Sequence, residues 1–557
     1  MKNSHLNLFR QLLSLFMLFA LSLNQGLTQG VYERGTFTSI PAGKHINHSY
    51  YGLWNIYFAV EDGVLVYNHH EGKWLNPITA SDGLRQYPVL LVWEDKMTQD
   101  VWMVTPDYVY LFNPQSDIMT HSPLPNDPNF TGTYQLGVTD TYVIVAASGQ
   151  NSNEKYSALF RKSTGGFETW GAESTLDVNW DQVDWINSIP RDFNNLYATL
   201  SVQAVTGGGF NADGFLHLDG RPQKSTSSVS ALTGDHTSGE VFMSTYGLGI
   251  FHRDVTDTQF SLLPFGLLSP DVMSMDLLNN QIIVGGRAGL TMVEDFNFSY
   301  DEAIRDPVYD YSFITGIDHN NDKMVIAGRG GVFTGNFENS GWTRIITKKD
   351  LLSNRIYDVA AGDDGNIMVA TERNAYLYHD SGLILNMLFP EEPGWPVFDV
   401  CYSNDTYFIS TYYGLYLYDT ELMTFTARLS SFGDFQTPNQ AGATIDPVYE
   451  SVVLGDTLWA STHSGLVQVN LSTEESVAHV APLTPFKPRG LAMSNGRAWV
   501  GTDIGVYSFN PKSASWRHYT QNDGLISNFV TDIVANGDYI WLGTNLGLTR
   551  IKWRNLY

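Results

Sequence analysis

The stretches RAWVGTDIGVYSFNP (497–511) and YIWLGTNLGLTRIKW (539–553) decide the fold. Superposed, they place Gly505 on Gly547, 42 residues apart. Each reads as an alternating strand, a short turn, and a second strand opening on Gly followed by Val or Leu. The same hairpin runs backwards through the chain, with its turn residue at Gly465, Gly414, Asn374, Gly331, Gly289, Gly249, Tyr108 and Gly63. Weaker copies lie at 142–150 and 195–203, which makes twelve. A spacing of about 44 residues is that of a four-stranded propeller blade.

Within a unit the turn needs a positive φ, which costs a side chain with a Cβ about 1–2 kcal/mol. Asn374 is expected to take the same conformation, because Asn tolerates it best among side chains with a Cβ. A further strand ending in a turn signal precedes each hairpin (AGDDGN, SNDTY, MSNGR, ANGDY). An outer strand follows, marked by Trp74, Trp342 or Trp516. The chain ends soon after a third strand, and GTFTSIP (35–41) resembles the outer strand ASWRHYT (514–520). The N-terminal segment is therefore expected to complete a blade elsewhere and remove a free sheet edge.

The expected fold class is an all-β β-propeller of about twelve four-stranded blades. Twelve exceeds the usual complement of one ring, so two tandem propellers are expected. Six plus six blades put the division at 31–300 and 301–557; seven plus five, or seven plus seven, stay open. Residues 1–30 read as a signal peptide: Lys2 and Arg10 precede an apolar run from Leu12 to Leu23, and small polar residues follow. That implies a periplasmic, secreted or cell-surface protein with no membrane span after signal removal.

Thirty-two basic against 58 acidic residues give a net charge of −26, which argues against a nucleic-acid partner. Cys401 is the single cysteine, so no internal disulfide forms, and its setting in VFDVCY suits a buried small hydrophobe. DHNNDK offers Asp318, Asn320 and Asp322 in calcium-loop order. It carries Lys323 where the loop needs Gly and Arg329 where it needs Glu, so a strand-connecting turn is expected. No hydrolase, phosphate-loop or metalloprotease motif is present. No catalytic residue, metal ligand or cofactor is expected.

Four linkers share a second signature: ITASDGLRQYPVLLVWED (78–95), LLPFGLLSPDVMSMD (262–276), ITKKDLLSNRIYDVAAGDDG (346–365) and YTQNDGLISNFVTDIVANGD (519–538). With the hairpins they resemble two-component regulator propeller repeats. Asp523, Gly524, Leu525 and Asn528 match that family's linker; Trp541, Gly543, Thr544, Gly547 and Leu548 match its hairpin. The likeness is strong over 345–557 and continuous over 50–345. A more distant likeness is to the PorZ group of exported propellers associated with type IX secretion. The first resemblance implies a sensor-like module, often for oligosaccharides, but no kinase or transmembrane helix follows the repeats here.

The face carrying the hairpin turns and linkers is the place to look for a site. Its variable positions include Arg287, Arg329 and Arg373 in three consecutive repeats, then Tyr412, Tyr413 and His463. Arg forks suit anionic groups and Tyr rings suit sugar faces; exposed turn residues also vary freely. The function expected is a non-enzymatic exported binding or scaffold protein, with an oligosaccharide or an envelope protein as partner. The alternatives are a polysaccharide lyase or hydrolase, and a component of envelope or type IX secretion assembly.

Overall fold

The computed structural model describes residue 32 and residues 35–557, except for 131–133, 148–154, 187–202, 205–208, 213–214, 219–225, 236–238, 255, 302–311, 321–322, 338–340, 348, 352–354, 364, 380–381, 383, 387–394, 431–432, 437–446 and 483–486. The expected signal peptide, most of the weak copy at 195–203, and Asp322 lie outside the described residues. No α-helix occurs among the described residues, and no helix there is long and apolar enough to cross a membrane. The strands form antiparallel sheets of mostly four strands, joined to their neighbours in sequence order. A seven-stranded sheet over 203–263 shares one long strand, Thr226–Gly234, between two sets of partners.

Three sequence devices build each unit. The first is the Thr-x-x-Gly hairpin. Thr411 Oγ1 donates to the Gly414 carbonyl (2.8 Å) and accepts from the Tyr413 amide (3.1 Å), and Thr502 and Thr544 repeat the arrangement. Gly465 shows why the last position is glycine. Its φ is +145°, and a Cβ there would lie 2.1 Å from the His479 carbonyl oxygen of the outer strand. Asn374 departs from expectation, because it is not among the residues with positive φ. Both the Arg373 and Asn374 amides turn onto Thr371 Oγ1 (3.3 and 3.1 Å).

The second device is the linker. Asp523 Oδ2 accepts from the Thr520 amide (2.8 Å) and hydroxyl (3.1 Å), Gly524 takes φ +119°, and Asn528 Oδ1 accepts from the Gln521 amide (2.8 Å). Leu525 then drops into the core with no exposed surface. Thr79, Asp82, Gly83 and Leu84 repeat this, with the Thr79 amide on Asp82 Oδ2 at 2.9 Å. The third device is a β-bulge near the start of the innermost strand, as between Ile356 and Asp358, Val397 and Asp399, Val448 and Glu450, and Val530 and Asp532.

Burial explains the strand composition. In Tyr539–Thr544, Arg497–Thr502 and Thr457–Thr462 five of six residues are buried, because a sheet wedged between two others has no wet face there. Outer strands such as Ser515–Tyr519 and Ser476–Val480 stay mostly exposed. The N-terminal strand Phe37–Pro41 is buried throughout and pairs antiparallel with Gly547–Ile551, forming the outer edge of the sheet that also holds Val530–Asn536.

Innermost strands touch in a closed order. Val272–Leu278, Gly316–Asn320, Ile356–Ala361, Val397–Ser403, Val448–Leu454, Pro488–Ser494 and Val530–Asn536 follow one another, and the last lies against the first. In the remaining sheets, Ile46–Tyr51 touches both Leu91–Glu94 and Thr226–Gly234, and Leu91–Glu94 touches Tyr134–Val138. A division at 300/301 would separate the 272–301 sheet from the 316–346 sheet it packs against.

Candidate functional site

The mouth of the 272–552 cycle is built by the bulges. Three of the bulges lift an aromatic residue out of the ladder ahead of an acidic one: Tyr357 before Asp358, Phe398 before Asp399, Tyr449 before Glu450. The Phe398 and Tyr449 rings lie 5.4 Å apart and nearly parallel (28°). Tyr412 stands 6.5 Å from Phe398 and 5.5 Å from Tyr413, whose ring in turn lies 3.7 Å from Trp395. Five aromatic rings from two neighbouring sheets thus form one partly exposed run. Buried Arg428 donates from Nε to the Tyr413 carbonyl (2.6 Å) and holds the hairpin that presents the tyrosines. In the next sheet the bulged residue is exposed Arg489, stacked 4.4 Å from Phe529.

The expected site residues fall into separate groups. Arg287 and Arg329 flank one ring, Phe313, at 5.2 and 5.5 Å. Backbone bonds sew the two hairpins together, Ser312 N to Arg287 O (3.0 Å) and Arg329 N to Ser312 O (3.1 Å). Arg287 also bonds Asp271 through Nε (3.1 Å) and borders a cavity of about 270 Å³ with Glu61 and Asp62. Tyr412 and Tyr413 belong to the aromatic run. Arg373 is exposed, and His463 bonds Ser464 Oγ through Nε2 (3.1 Å) with Nδ1 enclosed and unpartnered. Neither Arg373 nor His463 shares a hydrogen bond, ion pair or ring contact with the other four among the described residues.

Sequence reasoning missed Trp395, Phe398, Tyr449 and Arg489. A signal for three of them was present: the recurrent apolar-x-acidic triplet at Ile356-Tyr357-Asp358, Val397-Phe398-Asp399 and Val448-Tyr449-Glu450, with Pro488-Arg489-Gly490 in register.

Beneath the rings lies a layer of carboxylates. Asp532 Oδ2 accepts from the Met275 amide (2.6 Å), Asp318 Oδ2 from Ala361 (2.7 Å), Asp358 Oδ2 from Val400 (3.2 Å) and Asp399 Oδ2 from Ser451 (3.0 Å). Each bond joins one innermost strand to the next. Removal from water, aided by repulsion from Asp276, pushes Asp318 and Asp532 up to about 7, and removal from water alone pushes Asp399 up to about 6; Asp358 and Glu450 also rise well above the usual range, burial first and repulsion from Asp399 second. These carboxylates are occupied as inter-sheet staples. Asp276 Oδ2 pairs with His319 Nδ1 at 2.7 Å, and with Asp318 these are the one described group of His and acidic side chains close enough to share a metal ion. Cys401 touches Ser451 Oγ (3.4 Å), and dehydration pushes its thiol well above the usual range, the opposite of an activated nucleophile.

No family model and no curated protein matches the chain. Among solved structures, PorZ, a surface component of the type IX secretion system of Porphyromonas gingivalis, aligns over 93% of this chain and 87% of its own, with 11% identity and a TM-score of 0.56. The extracellular domain of a putative hybrid two-component system from B. thetaiotaomicron aligns over 91% of this chain and 75% of its own, with 12% identity and a TM-score of 0.31. The WD40 β-propeller domain of Doa1 covers 51% of this chain and 94% of its own, with 11% identity and a TM-score of 0.37. The chain is an all-β propeller protein, similar in fold to PorZ.

Proposed function

We propose that this chain is an exported, non-enzymatic binding or scaffold protein that holds a glycan on the mouth of a seven-sheet ring. In this reading 272–552 with Phe37–Pro41 forms that ring and 46–263 forms the other, in place of a division at 300/301. The observation that carries the reading is the run Trp395, Tyr413, Tyr412, Phe398 and Tyr449. Partly exposed rings at a channel mouth suit the apolar faces of sugar rings, and Arg489 beside them suits a hydroxyl or an acidic substituent. Arg329, Arg373 and His463 extend the rim, while Arg287 stands where the two groups of sheets meet.

The carboxylates below support binding over catalysis, since each accepts a backbone amide and is not poised over an open site. The likeness to PorZ favours a second reading, a cell-surface scaffold whose partner is an envelope protein. Glycan-array screening of the soluble protein tests the first reading, with envelope pull-down as the other arm. Retention of a saccharide on wild type and its loss on Tyr412→Ala and Tyr413→Ala are expected. Depletion of the saccharide with unsaturated or shortened products would replace the proposal with an enzyme. Capture of an envelope protein with no saccharide retained would favour the scaffold reading.

A further inference from the structure

A cleft of about 740 Å³ opens where the two groups of sheets meet, far in sequence from the aromatic mouth. One wall carries Lys73, Trp74 and Phe112; the other carries Asp295, Phe296 and Arg550. Arg550 is held firmly. Its guanidinium lies among the rings of Tyr539 (4.8 Å), Phe296 (5.1 Å) and Trp541 (5.6 Å), and only 13% of its side chain is exposed. Nη1 donates to Asp295 Oδ1 at 3.0 Å, but Asp295 is itself 75% exposed. Nε is enclosed and has no acceptor, and the indole N–H of Trp541 is in the same state. Buried donors are rarely left without an acceptor.

The geometry points to a second binding site in this cleft, for a ligand that bears one carboxylate on an aromatic or apolar body and is held by Arg550 and Lys73. Three considerations select that chemistry. A guanidinium fork matches a planar carboxylate, which accepts two parallel N–H groups. Lys73 pairs with exposed Glu71 and Arg550 with exposed Asp295, so the cleft has no surplus charge for a phosphate dianion in so acidic a chain, whereas a monoanion has only to displace exposed carboxylates from the two cations. Trp74, Phe112 and Phe296 supply rings for the body of the ligand. Clefts between structural units are common ligand sites. The carboxylate could belong to a peptide C-terminus or to a small aromatic acid.

The test is ligand-observed NMR titration of the full chain with N-acetylphenylalanine and benzoate, each against its neutral amide. Both acids, or either one, are expected to bind at least tenfold more tightly than the amide, and less tightly as salt is raised. A tighter N-acetylphenylalanine supports a peptide C-terminus; a tighter benzoate supports a small acid. Arg550→Met and Lys73→Met are each expected to weaken binding about tenfold, while Tyr412→Ala leaves it unchanged. Lys73 is 56% exposed, so its variant reports even where Arg550→Met misfolds. Equal affinity for acid and amide, no binding at 20 mM, or full affinity in Lys73→Met would each overturn the proposal. None of those results bears on the glycan mouth.

Discussion

The carboxylate layer makes a prediction that runs against ordinary acid behaviour. Asp318 sits at about 7 because burial and Asp276 penalise its charge, whereas an unfolded Asp titrates near 3.8. A folded pKa raised above the unfolded one gives stability that is fully present below pH 3.8 and is lost as pH rises through 7. At about 1.4 kcal/mol per pKa unit the whole effect is about 4 kcal/mol, of which about 2–3 kcal/mol falls between pH 5 and pH 8. Asp532, Asp399 and His319 have the same sign, since each is raised. In the other group of sheets the signs are mixed: burial raises Asp62 to about 6 and also raises Glu94, while it depresses His69 and His48. His48 is enclosed on the Ile46–Tyr51 strand and dehydration depresses it to about 4. A depressed histidine gives stability that is present above its unfolded value of 6.5 and lost as pH falls toward 4. Between pH 8 and pH 5 that loss is about 2 kcal/mol.

Acidification from pH 8 to pH 5 should therefore strengthen the sheets of 272–552, where the raised carboxylates outweigh depressed His479 and His518, and should change those of 46–263 less, because Asp62 and Glu94 there oppose His48 and His69. Calorimetry across this range, with hydrogen exchange by mass spectrometry to assign each transition, reads both responses. Asp318→Asn keeps an acceptor for the Ala361 amide and removes the proton, so it should flatten the slope of the first transition alone. A 272–552 transition that rises toward pH 8, or an unchanged slope in Asp318→Asn, would refute the reasoning.

Three further outcomes follow. Ile40 has no exposed surface on the strand that pairs with Gly547–Ile551, so Ile40→Ala should cost about 2–5 kcal/mol and raise exchange in 530–552, measured by denaturant melts and hydrogen exchange. Deleting residues 32–41 should destabilise the whole 272–552 cycle, and an unchanged melting profile would contradict closure by that strand. Gly465→Ala meets both a φ of +145° and the His479 carbonyl, and should cost at least about 2 kcal/mol; Gly455→Ala, at φ +59° in open space, should cost about 1 kcal/mol in the same melts.

Most of the fold was legible because the repeat is written in backbone-determining residues. Gly414, Gly465, Gly505 and Gly547 sit where a Cβ would strike the outer strand, and Asp523-Gly524-Leu525 is a turn spelled out in sequence. The pairing of residues 37–41 with 547–551 could be anticipated from the likeness of two outer strands. The site was less legible for a physical reason. Hairpin tips announce themselves beside an invariant-looking glycine, which led to Arg287, Arg373 and His463. The proposed mouth draws also on bulged residues such as Phe398 and Tyr449, and a bulge is a property of pairing between strands that one strand's composition does not declare. Asn374 was misjudged because the Thr371 hairpin forms there without a positive φ, which the residue type alone does not declare.

The central claim is that the aromatic run at the ring mouth is a recognition surface. Its most direct test is the saccharide affinity of wild type against the Tyr412→Ala and Tyr413→Ala double variant, checked for an unchanged melting profile. An array-identified saccharide is expected to bind wild type and to lose at least tenfold in affinity on the variant, since each stacked ring contributes about 1 kcal/mol. Equal affinity in the two proteins would contradict that claim.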